Sequence, residues 1–189
     1  SHSMPFSVEN FGIIKPEVVT RPGVYELRSR STGQYNYLKI PSSDPKEYFL
    51  VENRQFDAFD ECLGIAITDP GVVIYHADRK MEINYNFNNT DPTHRMITIE
   101  AGNEEWIGYN EYNVPAAQYY LSDHDVLWHQ GMKFGADTIP DSNLYAGQRT
   151  GISIKVVSSN NTIMQVEVDF IFLISPGDAI VGIDSDGDG

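Results

Sequence analysis

The sequence predicts a mainly β fold, an antiparallel β-sandwich or strongly bent sheet with a long irregular insertion and little helix. Three observations carry that expectation. Short segments rich in Val, Ile, Tyr and Phe recur along the chain, and several alternate apolar and polar residues as half-buried strands do. The stretches between them carry Pro, Gly, Asn and Asp in turn combinations. No segment sustains the 3.6-residue apolar period of an amphipathic helix.

In chain order, VYELRS at 24–29 is the first strand, entered through the turn Arg21-Pro22-Gly23. YNYLKI at 35–40 follows Ser31-Thr32-Gly33, and EYFLVE at 47–52 comes next. GVVIYHAD at 71–78 opens from Asp69-Pro70-Gly71, and MITIEA occupies 96–101. GISIKVVS at 151–158 and TIMQVEVDFIFLIS at 162–175 are separated by Ser159-Asn160-Asn161, a hairpin distance. Between MITIEA and GISIKVVS, 102–148 is a polar, aromatic-rich excursion in which only VPAAQYYL offers a turn or two of helix, around Ala116 to Leu121. A loop of that length needs something to tie it down, either a bound metal or the packing of Trp106, Trp128 and the tyrosines. Composition divides the chain into a tag scar and lead-in (1–9), a β-rich domain (10–175) and a Gly, Asp and Ser linker (176–189).

Charge and length narrow the partners. Across 189 residues, 13 Lys and Arg against 27 Asp and Glu give a formal charge of -14, which repels a phosphate backbone and argues against nucleic acid. The surplus carboxylates serve solubility first and hard cations second. Cys62 is the single cysteine, so an intrachain disulfide and a thiolate zinc cluster are both excluded, and it reads as a small hydrophobe. No apolar run approaches the roughly 20 residues of a membrane-spanning helix.

The tail reads DSDGDG, with Asp184, Asp186 and Asp188 at alternate positions and Gly189 sixth. That spacing is the first half of a calcium loop, in which alternate oxygens converge on one ion. Loops of this form open dockerin and thrombospondin-type-three repeats. His124 and His129 lie five apart, and HExxH is absent, as are a GxSxG elbow and a phosphate-binding Gly loop. Ser153 sits mid-strand and reads as solvent-facing rather than as a nucleophile.

Strand ends offer the better candidates. His76 and Asp78 share a face in GVVIYHAD, while His94 opens a strand that ends at Glu100, followed by Glu104 and Glu105. Carboxylates outnumber imidazoles there, so calcium is the expected ion, with Asp78, Glu100 and Glu104 as its ligands. The rival reading makes His76 and His94 hydrogen-bonded structural residues. In ENRQ, Glu52 and Arg54 fall on one face of a strand with Asn53 and Gln55 on the other, a structural bracket that would fix the FDAFDE loop to the sheet. Its rival is a substrate-facing edge. Asn88-Asn89-Thr90 and Asn160-Asn161-Thr162 are glycosylation sequons.

The order YFLVENRQ, GVVIYHAD, a His with TIEAGNE, PDSNLYAGQRTGISIKVVS and MQVEVDF resembles the C-terminal part of the immune inhibitor A type secreted metallopeptidases, over about residues 10–170. In that family these blocks run roughly YFLLENRQ, GLLIWHVD, an EADG-like acidic turn, and a TGIxIxNIS strand. The acidic turn departs from the pattern here, reading IEAGNEE. The resemblance implies a secreted or cell-surface parent whose catalytic zinc lies on an HExxH upstream, with none in this chain. It further implies that this domain is non-catalytic and partners the catalytic domain of the same parent, supporting it or presenting protein substrate, with a scaffold protein reached through the downstream module. The alternative is a carbohydrate-binding or adhesion sandwich using Trp106, Tyr109, Tyr112 and Trp128 as stacking platforms. A hydrolytic site without a recognised motif is a third reading, for which casein zymography with and without chelator is expected to show no cleavage.

Overall fold

A computed structural model describes residues 12–55, 70–83, 86–87, 94–102 and 127–171. Along the chain it contains β1 (Glu17–Val18), β2 (Gly23–Arg28), β3 (Leu38–Pro41), β4 (Glu47–Arg54), β5 (Gly71–Asp78), β6 (Glu82–Ile83), β7 (Asn86–Phe87), β8 (Ile97–Glu100), β9 (Lys133–Phe134), β10 (Ile152–Val156) and β11 (Ile163–Phe170). Only two short 3-10 turns, Arg30–Thr32 and Arg79–Met81, interrupt the β structure of the described residues. The fold is mainly β and built on two sheets. One has five strands in the order β1-β3-β4-β5-β8, the other four in the order β2-β11-β10-β9, and β6 pairs with β7 as a separate ribbon.

Strand pairing is antiparallel, as expected for most of the fold, except that β1 runs parallel to β3. The strand expected at 35–40 begins only at Leu38, and the Tyr35 hydroxyl before it donates to Glu52. The expected 71–78 strand is β5 residue for residue. β11 stops at Phe170, short of the expected 175, and residues from 172 onward lie outside the described set, as do the helical candidate around 116–121 and Cys62.

The two sheets face each other across a seam of apolar side chains. Phe49 and Val51 of β4, Val72 and Ile74 of β5, Ile152 and Ile154 of β10, and Met164, Val166 and Val168 of β11 all belong to it. Burying each such side chain contributes roughly 1.5–3 kcal/mol, so the seam supplies most of the drive to fold. In β11 the alternation is strict, with Ile163, Gln165 and Glu167 exposed and their neighbours buried, so the four-stranded sheet has one wet face. The central strands of the five-stranded sheet differ. Every residue of β4 and β5 is buried, since Tyr37, Tyr48, Leu50, Val73, Tyr75 and Leu127 form a second cluster on the outer face.

Local chemistry sets two further features. Gly151 adopts φ 71°, and a Cβ there would meet the Ile171 carbonyl oxygen at 2.3 Å, so the TGIS block needs glycine for both reasons. At the edge of the four-stranded sheet, Asn36 stands in for a neighbouring strand. The Arg28 N–H donates to Asn36 Oδ1 at 2.6 Å, and Asn36 Nδ2 donates to the Glu26 carbonyl at 2.8 Å.

Candidate functional site

Side-chain alternation decides which polar residues reach the seam. In β4, Phe49 and Val51 face it, so Glu47 and Asn53 do as well, while Tyr48, Leu50, Glu52 and Arg54 point to the outer face. In β5 the seam side holds Val72, Ile74, His76 and Asp78. The β5–β8 register sets His76 against Thr98 and Ile74 against Glu100. Glu47 and Asp78 are direct cross-strand partners. One end of the seam thereby gathers Glu47, His76, Asp78, Thr98 and Glu100.

These groups form one chain of contacts. His76 reaches Glu47 Oε1 through Nε2 at 3.0 Å and Glu100 Oε1 through Nδ1 at 3.2 Å. Lys80, on the turn after β5, donates its ammonium to Glu47 Oε2 at 2.9 Å and to Asp44 Oδ2 at 3.0 Å, and lies 3.4 Å from Asp78 Oδ2. Asp78 also meets His94 Nε2 at 2.8 Å and accepts the Lys80 backbone N–H at 2.8 Å. Glu47 and Asp78 are fully buried and His76 is 3% exposed. The hydrogen bonds it donates to Glu47 and Asp44 hold the Lys80 ammonium above the ordinary lysine range. Asp44 is held below its ordinary value, first by the Lys46 backbone N–H and then by Lys80.

Tyr145, from the segment between β9 and β10, closes this end. Its backbone N–H donates to Glu47 Oε1 at 2.7 Å, and its hydroxyl lies 3.0 Å from Thr98 Oγ1. The ring is sandwiched between His76 and His94, with centroids 4.4 and 4.1 Å away. Burial, reinforced by the carboxylates of Glu100, Glu47 and Asp78, pushes its phenol up to about 12, while the Thr98 hydrogen bond works the other way. The column of rings continues inward through Phe49, Phe134 and Trp128. Trp128 is 2% exposed and its Nε1 donates to the Glu100 carbonyl, so it is a core residue rather than a platform for a sugar. Trp106, Tyr109 and Tyr112 lie outside the described residues.

The ENRQ block divides by face. On the outer side, Glu52 is fully buried and accepts from Arg54 Nε at 3.0 Å, from the Tyr75 hydroxyl at 2.7 Å and from the Tyr35 hydroxyl at 2.6 Å. Burial, with the Glu52 charge adding to it, pushes both phenols well above the ordinary tyrosine range, so they remain donors. On the seam side, Asn53 Nδ2 donates to the carbonyls of Leu27, Asn161 and Thr162 at 3.1, 2.9 and 3.1 Å. Gln55 Nε2 donates to Asn53 Oδ1 and Asn160 Oδ1, both at 2.7 Å. Asn53 and Gln55 therefore fasten the β10–β11 turn, and the FDAFDE loop that ENRQ was expected to hold lies outside the described residues.

Asp78 and Glu100, two of the expected calcium ligands, share this end of the seam, with their oxygens engaged by His94, Lys80 and His76. Glu104, Asp184, Asp186 and Asp188 lie outside the described residues. Among the described residues, no group of three or more His, Cys, Asp or Glu is arranged to hold a metal ion. Ser153 is buried, contrary to its solvent-facing expectation, within a run of three buried residues on β10. Sequence reasoning overlooked Glu47, Lys80 and Tyr145. Glu47 had a readable signal, a carboxylate on the same strand face as Phe49 and Val51. Tyr145 had none, because its partners lie 47 to 98 residues away in the chain.

Compared with known protein families, with curated proteins and with solved structures, the chain matches none of them.

Proposed function

We propose that this chain is a non-catalytic, β-rich C-terminal domain of an exported zinc metallopeptidase of the immune inhibitor A type, acting by shape to support the catalytic domain or present its substrate. One observation carries the reading. The carboxylates and imidazoles gathered at the strand ends are spent on one another, on Lys80 and on Tyr145, joining three strands of the five-stranded sheet to the segment between β9 and β10. Of the blocks that carry the family resemblance, His-x-Asp supplies His76 and Asp78 to these links, and ENRQ supplies a separate set, from Asn53 and Gln55 to the β10–β11 turn. In the same reading the DSDGDG tail leads into a calcium-dependent module. Trp128 packs inward and so offers no platform for a sugar. Zinc chemistry belongs to the upstream HExxH of the parent, and no step of it is assigned to residues of this chain.

The test is to express the segment encoded immediately upstream with and without this chain, and to assay casein cleavage. The expected result is cleavage that needs both pieces, is lost on chelation, and is absent from this chain alone. Cleavage by this chain alone, or an upstream segment without HExxH, would overturn the proposal.

A further inference from the structure

We infer that the turn after β9 and the start of β10 form a receptor for a carboxylate, the end of a glutamate side chain or of a short free aliphatic acid. Ile152, Ile154 and Val156 face the seam, so Ser153 and Lys155 lie on the opposite side of β10. Beside Ser153 is a cavity of about 70 Å³, lined in part by Lys133, Ala136, Arg149, Ile152 and Ile171. It has room for a group of a few heavy atoms.

Two separate observations give the ligand its charge and its anchor. Lys133 and Lys155 stand directly opposite each other on β9 and β10, and among the described residues neither ammonium has a carboxylate within ion-pair distance. Like charges so placed repel, and an anion beside them relieves it. Ser153 is 6% exposed and lines the cavity, yet its hydroxyl has no hydrogen-bond partner among the described residues. A hydroxyl withdrawn from water gains most from an acceptor that enters. The nearby acids are already engaged, Asp137 by Arg149, and Asp169, opposite Ser153 on β11, by the Phe170 N–H. Lys133 and Ser153 are therefore left for the ligand's oxygens, while Ile152 and Ile171 meet its methylenes. The chain's formal charge of -14 opposes the approach of any acid, so binding should be weak and salt-dependent. The inference is independent of the peptidase reading.

The test is an amide NMR titration of the isotope-labelled chain at constant ionic strength, with sodium propionate, with a doubly capped Gly-Glu-Gly peptide and with its Gly-Gln-Gly counterpart. The Gly135, Gly151 and Ser153 amides should shift saturably with a carboxylate and stay in place with the Gln peptide. A tighter response to the Glu peptide assigns the site to a protein side chain, and a tighter response to propionate assigns it to a free acid. Lys133→Met should weaken binding about tenfold and Ser153→Ala about threefold. Lys133 is exposed, so its replacement leaves the fold intact, and the wild-type titration decides even without it. The inference is overturned if neither carboxylate shifts these amides saturably, if the Gln peptide shifts them equally, or if Lys133→Met binds as the wild type does.

Discussion

The two ends of the seam between the sheets perform the same task with different chemistry. Six residues apart on β4, or roughly 20 Å, Glu47 and Asn53 each reach across to the segments that flank β10. At the Glu47 end the link is ionic and aromatic, running through His76, Lys80 and the ring of Tyr145. At the Asn53 end it is neutral, amide against carbonyl and amide against amide. The difference teaches where sensitivity lies. A buried ion pair stripped of one partner leaves an uncompensated charge, whereas a lost amide leaves unpaired carbonyls that relax or recruit water.

The largest effect that tests this contrast is Glu47→Ala. It strands the Tyr145 N–H and takes one partner each from Lys80 and His76, which keep Asp44 and Glu100, so stability should drop by about 3 kcal/mol in urea unfolding. Glu47→Gln, which keeps an acceptor, should lose less. Asn53→Ala comes next, with an expected loss of about 2 kcal/mol from three deprived carbonyls. If Asn53→Ala costs as much as Glu47→Ala, the two ends are not chemically distinct in the sense argued above.

Tyr145→Leu separates the ring from the backbone contact. The stack on His76 and His94 is lost while the N–H to Glu47 remains, and the expected cost is about 1 kcal/mol. The smallest effect is on the alkaline limb. Lys80 binds its proton more tightly folded than unfolded, so its share of stability is whole below the ordinary value of 10.5 and is lost as pH rises through its higher folded value. Tyr145 adds a share that is whole below 10.0 and lost as pH rises through about 12. Unfolding free energy should accordingly decline above pH 10, and Lys80→Met should soften that slope. Asn53→Ala should leave the slope unchanged, and an altered slope would remove the distinction.

Much of this architecture was legible in the sequence because strand periodicity is local. The pairing of Glu52 with Arg54 on one face, and of His76 with Asp78 on another, follows from alternation alone. What lies across the seam was not legible, because register between distant strands is fixed by packing. Thus ENRQ showed its two faces, but not that Asn53 and Gln55 would bind the turn at 160–162, more than a hundred residues on. The same holds for the calcium ligands expected at Asp78 and Glu100. Their clustering was readable, and the neighbouring Lys80 was in plain view at two residues' distance, but only the turn after β5 folds its ammonium back between the carboxylates.

Asn36 has a consequence for how copies of this protein meet. By occupying the Arg28 N–H and the Glu26 carbonyl, a single amide takes up part of that rim of the sandwich, and so shortens the template on which two molecules could zip together. In a crowded solution, pairing along this border is thereby hindered at the cost of one polar side chain.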